Sequence, residues 1–175
     1  MKPLLFLDTE TTGLKEPRLL QLAFVSDRGD TFNRMYKPPK PIEIEAMEVN
    51  HVTEKMVADC PAFSADVQEV REILGAGIVV AHNAEFDLRV LEAENVFIHD
   101  VICTKKVAKH LWPQLKAHRL QYLRYHLGIE IDAGAHEAAA DVKVLRAVFD
   151  ACLQEMVVRH GTSEKAIEEM VNLSR

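Results

Sequence analysis

Residues 4–14 read LLFLDTETTGL: four apolar residues run into Asp8, then Thr9, Glu10, two more threonines, a glycine and Leu14. Leu4 to Leu7 are apolar without alternation and stop at a Gly-containing turn, which predicts a strand buried on both faces. Side chains alternate along a strand, so Asp8 and Glu10 point to one face, roughly 7 Å apart. Two carboxylates at the end of a hydrophobic strand either share a proton or bind a cation. Oxygen ligands favour a hard ion such as Mg²⁺ or Mn²⁺. The plain alternative is a solvated strand end carrying two surface acids, and two further acids weigh against it.

Both lie where helices should bury apolar residues. In AEFDLRVLEAE, after Asn83, the apolar positions include Phe86, Val90 and Leu91. Asp87 precedes the last two by three and four residues and so shares their face. It also falls in the first turn, where the helix dipole favours an anion. A later helix repeats the pattern, with Asp141 ahead of Val144, Leu145, Val148, Phe149 and Cys152. A buried carboxylate without a partner is costly. One such acid could be a cap or an arginine partner; two, beside Asp8 and Glu10, predict a shared metal site. His136 lies five residues before Asp141, among Ala133, Gly134 and Ala135, small residues that point to a flap. An imidazole near neutrality can take a proton from water at working pH.

Along the chain, strands are expected at Leu4–Leu7, Leu19–Ser26, Thr31–Tyr36, Ile78–Ala81 and Val96–Val101. The second and third flank Asp27-Arg28-Gly29-Asp30, a hairpin turn. Lys37 to Pro41 is an extended linker, because proline forbids helix interiors and sheet ladders. Short helices are expected at Ile44–Val49 and Thr53–Ala58, and longer ones from Ser64 to Leu74 and from Ala84 to Glu94, capped by Ser64 and Asn83. Thr104 should cap a basic helix that Pro113 breaks. Leu120–Leu127 should end at Gly128, and Glu137 to about Val158 is the longest helix. Thr162 or Ser163 opens a terminal one. Strands first, then strands alternating with helices, give an α/β fold: a mixed central sheet, an antiparallel hairpin plus parallel strands, with helices on both faces. In such sheets the site lies at the carboxyl ends of the strands, where Asp8 and His82-Asn83 fall. The expected organisation is one domain over residues 1–158 and a short helical tail over 159–175.

The chain's 175 residues suffice for a real core, and 48% hydrophobic with 27% charged residues describes an ordinary globule. No apolar run approaches the roughly 20 residues of a membrane span. No signal peptide is evident, since Asp8 interrupts the first apolar run. Three cysteines without metal spacing point to reduced thiols and a cytoplasmic setting. The net charge of −6 argues against a tight, sequence-independent duplex binder. Its distribution says more. Thr104 to Leu127 contains no Asp or Glu but holds Lys105, Lys106, Lys109, Lys116, Arg119 and Arg124, interleaved with Trp112, Tyr122 and Tyr125. Cations among aromatics suit a single-stranded nucleic acid; a solvated helix face with core aromatics fits as well.

With Asp8-x-Glu10, Asp87 and His136-x4-Asp141 in place, the chain resembles the DnaQ-like 3′–5′ exonucleases, the DEDD group of the RNase H-like fold. The matching motifs are LDTETTG, HNAEFD and HEAAAD, in that order, covering roughly residues 4 to 156. Histidine at 136 places the chain in the DEDDh branch. NHVT at 50–53 and ICTKKVAKHLWP at 102–113 look closest to the exodeoxyribonuclease X-like subgroup. Gln21, where many relatives carry Glu, departs from the pattern away from the catalytic set.

The resemblance implies that Asp8, Glu10 and Asp141 hold one divalent ion, and that Asp8 bridges to a second to which Asp87 contributes. The two ions would be Mg²⁺, with Mn²⁺ as a substitute. It implies that His136 helps generate the hydroxide that attacks the terminal phosphodiester, releasing nucleoside 5′-monophosphates. Thr9, Thr11, Thr12 and Gly13 would face the terminal nucleotide, Leu14 would wedge beside its base, and His51, Asn83 and Phe86 would complete the pocket, though Phe86 reads equally as core. The implied partner is nucleic acid, a single strand of DNA or a 3′ end, in repair or proofreading. A homodimer or an association with a polymerase are further settings. The alternatives are an exoribonuclease, since no residue reveals whether a 2′-OH is tolerated, and a polymerase-associated binding subunit, against which the intact catalytic positions argue.

Overall fold

The computed structural model describes residues 2–131 and 138–175, the side chains of 138 and 139 excepted. Five strands, β1 (Leu4–Thr11), β2 (Leu19–Ser26), β3 (Thr31–Met35), β4 (Ile78–Ala81) and β5 (Val101–Cys103), form one sheet in the order β3-β2-β1-β4-β5. β1 pairs antiparallel with β2, and β2 with β3; β1–β4 and β4–β5 are parallel. This is the mixed sheet, an antiparallel hairpin plus parallel strands, that the resemblance to an RNase H-like fold implies. Helices are α1 (Ile44–Asn50), α2 (Glu54–Val57), α3 (Val67–Ala76), α4 (Glu85–Ala93), α5 (Thr104–Leu111), α6 (Leu120–His126), α7 (Ala138–His160) and α8 (Ser163–Asn172). None of the described helices is long and apolar enough to cross a membrane.

The unalternated run of β1 is buried on both faces, and its parity sorts the helices. Leu4 and Phe6, with Ile78, Val80 and Ile102, pack against Val107, Leu123, Val144, Val148 and Phe149 of α5, α6 and α7. Phe6 meets Phe149 edge-on, with ring centroids 5.2 Å apart. Ala166, Ile167 and Met170 of α8 are buried in the same cluster. Leu5 and Leu7, with Leu22, Phe24 and Val79, pack against Val70, Leu74, Val90 and Leu91 of α3 and α4. Gly77 permits the close start of β4: a Cβ there would stand 2.6 Å from Leu5 Cδ1 and 2.9 Å from the Pro3 carbonyl oxygen.

Several local expectations need correction. The fifth strand is Val101–Cys103 rather than Val96–Val101. Asn95 takes a left-handed φ of 61° and the Val96 amide donates to the Leu91 carbonyl, so residues 95–96 close the end of α4. Val96 is then buried against the α3–α4 side of the core instead of in the sheet. Asn83 does not cap α4; its φ is 69° and Ala84 occupies the N-cap. Ser64 lies in a 3₁₀ turn, Phe63–Ala65, and α3 starts only at Val67. Thr104 is the first residue of α5 rather than its cap, its buried hydroxyl turned to His82 and the Ala81 carbonyl. Of the two openers expected for α8, Thr162 is the cap: its hydroxyl accepts from the Lys165 amide.

Candidate active site

Asp8 and Glu10 continue the parity of Leu4 and Phe6 and so face α7, the helix that carries Asp141. Thr9 takes the opposite parity, that of Leu7, and faces α4. β4 pairs with β1 only from Leu4 to Phe6, so β1 runs on past its parallel neighbour. Into that gap comes Asp87 from the first turn of α4, whose Oδ1 accepts from the Thr9 hydroxyl at 2.8 Å. Acids from three separate elements thus meet around the outer half of β1.

Their charges register on one another. Burial holds the Asp8 carboxyl well above the usual carboxylate range, and the charges of Asp87, Glu10 and Asp141 push it further. Burial raises Glu10 to about 8, with Asp141 and Asp87 adding to it. Asp87 is pushed up to about 7 by burial, although hydrogen bonds from Thr9 and from backbone amides pull it back. Like charges gathered in a poorly solvated place bind protons or cations. Every donor atom is a carboxylate oxygen, the set that suits a hard divalent ion. Among the described residues no group of three His, Cys, Asp or Glu side chains is already gathered at metal-binding spacing. The fit therefore rests on the shared field and the donor chemistry.

Neighbours brace these acids. Gln121 of α6 donates its Nε2 to Asp141 Oδ1 at 2.9 Å, and Arg124 Nη1 donates to Gln121 Oε1 at 3.3 Å. Arg124 also donates to the Ile131 carbonyl. Arg18 makes a two-pronged ion pair with Glu94 at 2.8 and 2.9 Å, and its amide donates to the Thr12 hydroxyl. It thereby ties the loop after β1 to the far end of α4. Nothing in the sequence around Gln121 signalled its role, because only the packing of α6 on α7 brings it to Asp141.

Beside Glu10 opens a cavity of about 490 Å³, lined by Thr9, Thr11, Gly13, Leu14 and Phe86 and by α1, through Ala46, Val49 and Asn50. Leu14 is 81% exposed, an apolar side chain standing at the mouth. The turn beneath is fixed: the Thr11 hydroxyl donates to the Gly13 carbonyl, and buried Asn50 donates to the Thr11 carbonyl at 3.0 Å. Thr12 is fully buried. Exposed His51 and Asn83 are not among the lining residues; both have positive φ, and Asn83 Oδ1 accepts from Lys105 Nζ at 3.1 Å. The contribution of α1 was not foreseen, since seven residues without a clear stripe gave no sign of which face they would show. His136 lies outside the described residues.

Comparison with known proteins follows the same lines. The family model described as Exonuclease matches residues 5–149. The DNA polymerase III subunit epsilon of Treponema pallidum (strain Nichols) is 32% identical over 168 residues, covering 88% of this chain and 78% of that protein. Exodeoxyribonuclease 10 of Escherichia coli (strain K12) is 36% identical over 139 residues, covering 77% of this chain and 60% of its own length. A solved structure of exonuclease X in complex with 5′ overhanging duplex DNA superposes with a TM-score of 0.77 at 28% identity, covering 100% of both chains. The chain belongs to the exonuclease family. Within it, the chain is a member of the DnaQ-like 3′–5′ exonucleases.

Proposed function

We propose that this chain is a metal-dependent 3′–5′ exonuclease that shortens DNA from single-stranded or frayed 3′ ends and releases nucleoside 5′-monophosphates. The observation that carries this is the meeting of acids from β1, α4 and α7 around the outer half of β1, with Asp87 held by the Thr9 hydroxyl at 2.8 Å and Asp141 by Gln121 at 2.9 Å. Asp8, Glu10 and Asp141 would hold one divalent ion, and Asp8 with Asp87 a second, Mg²⁺ or Mn²⁺. Such ions supply the positive charge that stabilises the attacking and leaving oxygens of an in-line displacement at phosphorus. Thr9 orients Asp87, and Gln121 orients Asp141, by donating to one oxygen of each. The cavity beside Glu10 receives the terminal nucleoside, with Leu14 and Phe86 offering apolar surface to the base and the backbone of Thr11 to Gly13 the polar edge. His51 adjoins the lining residue Asn50, while Asn83, bonded to Lys105, stands outside the lining. His136 takes the proton from the attacking water, as its place five residues before Asp141 allows.

DNA is favoured over RNA because the DnaQ-like relative solved with nucleic acid at 28% identity holds duplex DNA. Likeness to an epsilon subunit supports proofreading beside a polymerase, and likeness to an exodeoxyribonuclease supports a free-standing repair role. The test is digestion of 5′-labelled DNA and RNA oligomers of equal sequence, single- and double-stranded, with Mg²⁺ or EDTA. The expected result is a ladder of shortened labelled DNA that EDTA abolishes. A labelled mononucleotide as the first product, or cutting that EDTA leaves intact, overturns the proposal.

A further inference from the structure

The basic stretch from Lys105 to Arg119 has no part in the chemistry above, yet the fold pins it to the site at three places. At its start, Lys105 Nζ donates to Asn83 Oδ1 at 3.1 Å, beside the helix that carries Asp87. At its end, Gln121, two residues after Arg119, donates to Asp141 at 2.9 Å. Between them, the His118 carbonyl accepts from His82 Nε2 at 2.8 Å, at the carboxyl end of β4. The His118 ring in turn bonds the Trp112 carbonyl at 3.0 Å, so the loop between α5 and α6 is closed on itself. Lys105 is half-buried; Lys116 and Arg119 are exposed. Among the described residues none of the three forms an ion pair with a carboxylate.

The α1 side of the site has the other sign. Glu43, Glu45 and Glu48, in and just before α1, line the cavity beside Glu10. A phosphodiester chain whose 3′ end enters that cavity is repelled along the α1 side and attracted along the α5–α6 side. We infer that Lys105, Lys116 and Arg119 form a track for the phosphates of the strand behind its 3′ end, a contact surface separate from the cutting site. The inference rests on the exonuclease reading for the direction of the strand. Lys106 is excluded from the track although it adjoins Lys105 in sequence. Its ammonium is held by the carbonyls of Ser174 and Arg175 at 2.8 and 3.1 Å. Trp112 packs against the core, so phosphate pairing rather than stacking on this ring carries the contact.

The test combines Lys105→Gln, Lys116→Gln and Arg119→Gln and measures binding of a fluorescent oligothymidylate in EDTA across a KCl series. Each phosphate contact on a single strand contributes about 0.7 to the slope of log K against log salt. The combined variant should therefore lose roughly 2 from that slope. With Mg²⁺, its KM for long single strands should rise while kcat holds. Hydrolysis of a p-nitrophenyl ester of thymidine 5′-monophosphate, which has no phosphates behind the reacting one, should match the parent and shows that the variant is folded. An unchanged salt slope, or an equal loss on the small ester and the long strand, overturns the track. Inactivity of the parent protein toward every substrate would instead defeat the exonuclease reading, and the binding slope would still decide for or against the track.

Discussion

At Asp8 the physics of the site is concentrated in one side chain. It must sit at the end of a buried strand, within the field of three other carboxylates, and a cation is the partner that makes this tolerable. Asp8→Asn or Asp141→Asn should remove several kcal/mol of transition-state stabilisation, on the order of a thousandfold or more in kcat. The metal-free fold should persist or gain stability, since each change removes a repelled charge. Kinetics beside thermal melts in EDTA check both halves, and full activity in either variant would refute the metal assignment. Gln121 acts through Asp141 and so is a positioning residue. Gln121→Ala should cost about 10- to 100-fold, as loss of a hydrogen bond to a ligand does. The Mg²⁺ concentration for half-activation should rise while KM for DNA stays put. Gln121→Glu should be worse still, because it sets another carboxylate against Asp141. A merely structural role would lower stability and leave the Mg²⁺ titration unmoved.

Among the elements, β1 and β4 set the geometry. β4 is four residues long and stops where β1 continues, which opens the gap through which Asp87 reaches Thr9. The two strands come together at Gly77, where a side chain would collide with the Pro3 carbonyl and with Leu5. Gly77→Ala should cost about 1–3 kcal/mol, because backbone must move to admit the methyl. That lowers Tm by roughly 2–4 °C for each kcal/mol in a chain of this size. Activity per folded molecule should be retained, as Gly77 lies at the opposite end of β4 from the acids. A calorimetric scan of Gly77→Ala showing no loss would mean that the start of β4 relaxes freely. The loop between α5 and α6 is set in a similar way by His82, which bridges Thr104 and the His118 carbonyl. His82 Nε2 faces a carbonyl and therefore carries the proton, while Nδ1 accepts from the Thr104 hydroxyl.

For the whole molecule these groups give opposing pH dependences. Burial lowers His82 to about 4, against the pull of its hydrogen bond to the His118 carbonyl and with the Lys105 and His118 charges adding to the drop. A folded pKa below the unfolded value near 6.5 gives stability that is full above 6.5 and lost as pH falls toward 4. The loss amounts to about 3 kcal/mol at 1.36 kcal/mol per unit. Asp87 and Glu10, raised to about 7 and about 8, act the other way. Their contribution is full below the unfolded carboxylate pKa and is lost as pH rises through 7 and 8. Between about pH 4.5 and 6.5 the two raised carboxyls outweigh the one lowered imidazole, so the metal-free protein should melt highest near about pH 4.5 and progressively lower toward pH 8. Mg²⁺ should lift the alkaline limb alone, and His82→Gln should steepen the fall between about pH 4.5 and 6.5. Melting curves over this range with EDTA or Mg²⁺ check the expectation; an alkaline limb indifferent to Mg²⁺ would contradict it.

Sequence alone determined the places of four of the five strands, the parity that sets Asp8 and Glu10 on one face, and the inward placement of Asp87 and Asp141. These follow from periods of 2 and 3.6 residues, which are properties of a single element and need no knowledge of neighbours. The boundaries of β2 were legible for the same reason, and local capping chemistry narrowed the start of α8 to Thr162 or Ser163, of which the structure uses Thr162. Only the tertiary structure decided what depends on which elements pack together. It turned Val96 from strand to helix terminus, gave Asn83 to Lys105 rather than to a cap, and set α1 along the cavity. It also brought Gln121 to Asp141 and separated Lys105 from Lys106. Each of these joins residues distant in the chain through a hydrogen bond or a packed side chain, and no local period encodes such a meeting.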